Sequence, residues 1–330
     1  MTRSGTRFSL LFLSTLSLGM AGGALGQPAG GYPVKPIRVV VGFAPGGPAD
    51  IVGRLVAPKV TEILGQQLIM ESRGGAGGTI GMDVVAKAQP DGYTLGLGSS
   101  GNLIVAPHLY PKIGYSVAKD LAPVSSLATT AFVIAVNPSV PTRTAAELVK
   151  LARSKANALS YGTSGNGSSS HIAAELFRNA IGAEFVHVPY KGTGPSLTAV
   201  VAGEIDMMFG DLIPALPHAQ SGRLRLLANL GSHRSPAAPN VPTIAESGVK
   251  MQPISGRYAI VAPAGTPREV IAKLHSAIAA VLKSPDTQQR FIQSGFEVVN
   301  DSPEQLAATL KGEGELIGGV IRKAGIKPDM

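Results

Sequence analysis

The sequence predicts an α/β fold. Short apolar runs alternate with segments of helical periodicity, glycine-rich turns sit at the junctions between them, and capping signatures open helices in the C-terminal part. Residues 37–43 are apolar apart from Arg38 and Gly42 and read as a buried parallel strand. Ala44-Pro45-Gly46-Gly47-Pro48 breaks that run, and a helix is expected over 49–64. Asp50 falls in its first turn, where a carboxylate faces the positive end of the helix dipole. Gly65 ends the helix, a strand follows over 67–71, a glycine turn over 74–78 and a helix over 80–88. Pro90-Asp91-Gly92 is a turn before a strand at 93–97.

The same grammar restarts with a strand at 132–136. Thr144-Ala145-Ala146-Glu147 has the spacing of a capping box and opens a helix to about Ser154. A short strand at 159–161 leads into the Gly/Ser segment 162–170, then a helix through Phe177 and a strand at 185–188. Tyr190-Lys191-Gly192 leads into another helix, and strands are expected at 205–209 and 224–230. Thr266-Pro267-Arg268-Glu269 and Ser302-Pro303-Glu304-Gln305 each combine a cap, an early proline and a box residue, with a strand at 296–299 between them. In parallel α/β sheets, ligands bind at the carboxyl ends of strands, beside helix N-termini.

A hydrophobic share of 44% against 15% charged residues supports a packed core and excludes a disordered chain. The 330 residues suggest two domains or one two-lobed unit. Arg3 and Arg7, the apolar stretch 8–20 and Ala24-Leu25-Gly26 read as a secretory signal over 1–26, cleaved before Gln27. That apolar stretch is too short to span a bilayer comfortably, and no later one reaches spanning length, so a soluble mature chain is expected. Cysteine is absent, which leaves no lipid attachment site and no disulfide. The net charge of +8 is scattered with no basic run, which argues against a nucleic-acid partner.

Three loops, 44–48, 162–170 and 188–195, follow apolar strands and precede helices, an arrangement that offers backbone N–H groups to an anion. Nucleotide fingerprints fail. Counting from Gly75, Ile80 stands where G-x-G-x-x-G needs its last glycine, and no segment matches the P-loop. Gly162-Thr163-Ser164-Gly165 lacks one residue of the G-x-S-x-G nucleophile elbow. His171 and His187 offer a base without an evident ordered acid, which leaves a serine hydrolase as a weak rival. The histidines are too far apart in sequence for a metal motif. No metal, cofactor or catalytic residue is expected. His171 reads as a ligand contact or loop cap, and His187 as a structural residue.

Tyr32-Pro33-Val34-Lys35-Pro36-Ile37-Arg38, Phe43-Ala44-Pro45-Gly46-Gly47 with Asp50, Gly75-Ala76-Gly77-Gly78, the run 86–95, His187-Val188-Pro189-Tyr190-Lys191-Gly192, Val241-Pro242-Thr243 and the run 262–267 together carry a family likeness. The chain resembles the substrate-binding subunits of tripartite tricarboxylate transport systems, the Bordetella uptake gene (Bug) family. The resemblance implies a two-lobed periplasmic-binding-protein fold of type 2 with ligand in the interlobe cleft. Lobe one would be 27–127 with 252–330, and lobe two 128–251. It further implies that the chain captures a small organic carboxylate in the periplasm and delivers it, as a monomer, to the membrane subunits of a tripartite transporter. A sensing subunit presenting the carboxylate to a receptor is the alternative. Citrate-like acids, dicarboxylates, acidic amino acids and aromatic carboxylates all stay open as ligands.

The candidate ligand-binding residues are Phe43, Ala44, Pro45, Gly46, Gly47, Ser99, Ser164, Asn166, Ser168, Ser169, His171, Tyr190, Lys191, Gly192 and Asp211. Backbone amides of 44–47 and the hydroxyls of Ser164, Ser168 and Ser169 are the expected carboxylate donors. Asp211 is expected either to meet a ligand amine or hydroxyl or to cap the helix beginning at Leu212. Three residues depart from the family pattern. Gly42 replaces a proline and would loosen the strand before the first loop, Ser72 replaces an asparagine, and Arg257 replaces a tryptophan. Arg257 is expected to face a ligand carboxylate or to lie exposed on the surface.

Overall fold

The computed structural model describes residues 1–2, 31–43, 45–110, 112–154, 159–190 and 192–327. The expected signal segment, Ala44 and Lys191 lie outside the described residues. From Tyr32 onward the chain forms one compact unit.

The first βαβ run contains β1 (Ile37–Val41), α1 (Pro48–Leu64), β2 (Leu68–Ser72), α2 (Thr79–Ala86) and β3 (Thr94–Ser99). Two short helices, α3 (Ala106–Leu109) and α4 (Val117–Asp120), lead to the long β4 (Leu121–Val136). Then follow α5 (Ala145–Ser154), β5 (Ser160–Thr163), α6 (Ser169–Ile181), β6 (Val186–Pro189), α7 (Thr193–Ala202), β7 (Met207–Asp211), α8 (Leu212–Gln220) and β8 (Arg225–Asn229). The C-terminal elements are β9 (Ser255–Pro263), α9 (Arg268–Lys283), α10 (Pro285–Gln293), β10 (Glu297–Val298) and α11 (Pro303–Ala324).

The strands run in the order β2-β1-β3-β9-β4-β7-β5-β6, with β8 and β10 also on β4. The β2-β1-β3 and β6-β5-β7 groups are parallel, as α-helical crossovers require, while β9 and β4 run antiparallel to their neighbours. β4 changes partner along its length. Residues 121–131 pair with β9, and Phe132–Val136 pair with β7 and β8. One core, with Val39, Leu97, Ile260 and Phe291, lies on the β1-β3-β9 side, and another, with Ile134, Tyr161, Phe177 and Phe209, lies on the β7-β5 side. A third joins Ile172 and Leu176 of α6 to Leu306, Ile317 and Ile321 of α11 and to Leu103 and Leu109.

Several local expectations change in the folded chain. β4 starts at Leu121, not at 132, and it carries register shifts between Pro123 and Ser125 and between Ser126 and Ala128. Bulges of this kind are where a strand tolerates proline. β9 and α10 had no sequence expectation. The Ser302 box is present in full, Ser302 accepting the Gln305 N–H and Gln305 accepting that of Ser302. At Thr144 only half forms: Thr144 accepts the Glu147 N–H at 3.1 Å, whereas Glu147 accepts from Arg143. The Thr266 box is absent, because its hydroxyl donates to the Pro263 carbonyl at 2.7 Å and Pro267 takes the N-cap position.

Arg257 does not lie exposed on the surface, the second of its two expected placements. Its side chain is only 13% exposed and pairs with Asp301 at 3.3 Å and Glu313 at 3.1 Å. It packs within the β4–β9 seam opposite Thr129, with acids from the C-terminal segment supplying the countercharge. Both carboxylates keep some water contact, so the network balances charge more than it adds stability.

Candidate functional site

Two groups of loops at strand ends hold the candidate residues. In the first, Phe43 follows β1 and its ring rests on Gly78: a Cβ built there would lie 2.9 Å from Phe43 Cζ and 2.6 Å from Asn102 Nδ2. Asn102 is fully buried and ties the group together. Its Oδ1 accepts the Ser99 N–H at 2.8 Å, and its Nδ2 donates to the Gly78 carbonyl at 3.4 Å. Gly42 is not slack, because it is buried with the Gly78 backbone against the position of its missing side chain. Pro45 is exposed.

Gly46 does not offer its amide freely. Its N–H donates to Asp50 Oδ2 at 2.9 Å, and Arg54 donates to the same oxygen at 2.8 Å. The Arg54 hydrogen bond, helped by the Gly46 N–H, holds the Asp50 carboxyl below its usual range against the opposing effect of burial. Gly47 is the N-cap of α1, and its carbonyl accepts the Ile51 N–H.

In the second group, Ser164, Ser168, His171, Tyr190 and Gly192 are brought together by direct bonds. Gly192 N–H donates to the Ser164 carbonyl at 3.1 Å, and Tyr190 N–H to the Thr163 carbonyl at 3.2 Å. Ser168 is the N-cap of α6 and accepts the His171 N–H at 3.2 Å. Ser169 occupies the first turn of α6, half-buried. His171 acts as a loop clasp: its Nδ1 accepts the Gly167 N–H at 2.9 Å, which places its own proton on Nε2. Its ring stacks on His187, with centroids 4.1 Å apart, and His187 stacks in turn on Tyr161 and bonds Thr163. Asn166 turns toward the C-terminal segment, donating to the Lys327 carbonyl at 2.8 Å.

Asp211 closes the second group and approaches the first. It stands at the N-cap position of α8 without a side-chain cap bond, so the capping expectation is overturned. Instead, Thr193 donates to its Oδ2 at 3.0 Å. Tyr258 pairs with Ser99 across β3 and β9, and its hydroxyl is pushed well up by burial and then by the Asp211 charge. Tyr258, the strand partner of Ser99, thus feels the Asp211 charge. A small apolar cavity of about 20 Å³ lies beneath α1, among Val39, Gly53, Val56 and Leu274, away from these loops.

Burial raises the Asp211 carboxyl, only partly offset by the Thr193 bond. Because the folded value exceeds the unfolded one, the group's contribution to stability is complete below the ordinary aspartate range and lost as pH rises through the folded value. Asp211→Asn in ligand-free protein is therefore expected to melt progressively above wild type as pH increases from about 4. Parallel melting curves between pH 4 and 8 would show that Asp211 is not desolvated.

Sequence reasoning missed Asn102, Ser170, Thr193 and Tyr258. Asn102 follows the Ser99-Ser100-Gly101 break after β3, a turn signal that was legible. Ser170 sat inside the flagged serine segment. Tyr258 had no local signal, because its strand was not foreseen.

The model of the tripartite tricarboxylate transporter family receptor matches residues 52–326. Protein BugT of Bordetella pertussis is 35% identical over 319 residues, covering 96% of this chain and 98% of its own. A Rhodopseudomonas palustris protein solved with malate is 32% identical with a TM-score of 0.78, covering 88% of this chain and 100% of the other. An R. palustris protein solved with adipate is also 32% identical, with a TM-score of 0.83 and coverages of 90% and 100%. Among the described residues, no helix is long and apolar enough to cross a membrane.

Proposed function

This chain belongs to the tripartite tricarboxylate transporter receptor family, and from that premise we propose that it captures a small organic carboxylate between its two loop groups and delivers it to a membrane transporter. The observation that supports this reading is the serine loop between β5 and the N-terminus of α6, where Ser164, Ser168, Ser170 and His171 are tied together at a strand end of the kind where α/β sheets bind ligands. The adipate and malate held by its structural relatives favour a dicarboxylate or hydroxy-dicarboxylate. The family is one of periplasmic binding proteins, and the leader-like N-terminus supports export to that compartment. The membrane subunits of a tripartite transporter are the proposed recipients, and the binding protein acts as a monomer.

Residues 27–127 with 252–330 form one lobe in this reading, and 128–251 the other. The change of partner along β4 between Ala131 and Phe132 supports a crossing close to the 127/128 boundary, and the segment that enters β9 at Ser255 is the second crossing. Closure would remove the ligand from bulk water. A thermal-shift panel of organic acids should raise Tm for one or a few carboxylates, by about 2.7 kcal/mol of added stability at a hundredfold excess over Kd. Scattering with the best ligand should show a smaller radius of gyration. No stabilising carboxylate in the panel would sink the binding reading, and an unchanged radius with a tight ligand would sink lobe closure.

A further inference from the structure

We propose that Ser170 is the positioning residue of the serine loop and that it makes Ser164 a hydrogen-bond acceptor toward ligand, so that the site favours a carboxylate bearing a hydroxyl or ammonium donor. The proposal rests on the carboxylate-binding reading. Ser170 is 2% exposed, and its hydroxyl oxygen meets three groups: the Ser164 N–H at 3.0 Å, the Ser164 hydroxyl at 2.9 Å and the Ser168 hydroxyl at 2.9 Å.

A serine hydroxyl has one proton to give and two lone pairs. The Ser168 proton goes to the Gly165 carbonyl at 2.7 Å, so Ser168 can only accept from Ser170. The Ser170 proton is thereby committed to Ser168, and the Ser164 hydroxyl must donate to Ser170. The chain runs one way, Ser164 to Ser170 to Ser168 to Gly165. Ser168 is filled, since it also accepts the His171 N–H. Ser164 keeps two lone pairs and no free proton. Neither hydroxyl is therefore the carboxylate donor that the residue type alone suggests, and Ser164 instead suits a ligand hydroxyl or ammonium. Ser169 has no side-chain partner among the described residues and keeps its proton available.

The test compares malate with succinate, which lacks only the hydroxyl, using calorimetry on wild type, Ser164→Ala, Ser170→Ala and the double variant. Wild type should prefer malate by about tenfold, the scale of one hydrogen bond to a well-placed acceptor. Ser164→Ala should erase that preference. Ser170→Ala frees the Ser164 proton, so Ser164→Ala should weaken succinate only in that background. Amide exchange in ligand-free protein gives an independent readout, with Ser164 N–H protected in wild type and exchanging about tenfold faster in Ser170→Ala. Additive affinity effects would overturn the acceptor assignment, and an unprotected Ser164 amide in wild type would overturn the chain. If another carboxylate of the panel binds but neither probe does, the comparison is made between that ligand and its analogue differing only in the hydroxyl or ammonium group, and equal affinity for the two overturns the donor preference. If no carboxylate binds, the carboxylate reading fails, while exchange at Ser164 still decides the hydroxyl chain.

Discussion

Gly42→Ala is expected to lower both stability and ligand affinity, although it adds only a single methyl group. The added Cβ would lie 2.6 Å from the Gly78 carbonyl oxygen and 2.9 Å from the Gly78 Cα. Both atoms belong to the backbone, so no rotamer change relieves the contact. Gly78 cannot retreat easily, because it sits at φ +89° and its N–H is bound to the Gly75 carbonyl at 2.9 Å. Overpacking of this kind costs about 1–3 kcal/mol. Each kcal/mol corresponds to at most about 2 °C of Tm in a chain of this length. The strain falls on the contact that seats Phe43 and on Asn102, which fixes the Ser99 loop. Affinity for the best carboxylate should therefore fall about tenfold, equivalent to about 1.4 kcal/mol. Proline has the same Cβ and should be no better tolerated unless the 75–78 segment changes with it. A variant with wild-type Tm and affinity would show that the two backbones part freely.

The sequence made the parallel units legible where strand, glycine and helix follow one another, as from Ile37 to Leu64 and from Ser160 to Ile181. It concealed the central strands for a physical reason. The first part of β4 contains Ser125, Ser126 and Thr130, all buried, so its polarity resembles a loop. Folding supplies partners that local pattern cannot reveal: Ser126 donates to Asp301 and Ser125 to the Ser126 carbonyl. β9 was hidden likewise by Gly256 and Arg257, whose charge is balanced by residues from a distant segment. At the site, the serine loop and the Gly46–Gly47 turn were legible as donor-rich, but the internal use of those donors was not. Gly46 serves Asp50, and Ser168 serves Gly165 and α6. Residue type shows which groups can bind an anion, and only geometry shows which protons are already spent.

Gly167→Ala should show the second large effect, because one methyl group there meets two separate obstacles. Gly167 has φ +68°, a region where a side chain costs about 1–2 kcal/mol. Its Cβ would also lie 1.8 Å from Leu109 Cδ2. Leu109 is 6% exposed and belongs to the core shared by α3, α6 and α11, so its methyl has little room to move. Together the two penalties reach about 2–5 kcal/mol. The functional consequence comes from what Gly167 holds. Its N–H clasps His171, and its neighbours carry the Ser164, Ser168 and Ser170 bonds. Affinity should fall along with Tm. Leu109→Ala separates the two causes. Alone it leaves a cavity costing about 2–5 kcal/mol. Combined with Gly167→Ala it admits the new methyl, so the double variant should be less destabilised than the sum of the single changes. Strict additivity in urea unfolding would place the whole penalty in the backbone and remove Leu109 from the account, whereas a Gly167→Ala protein as stable as wild type would remove both.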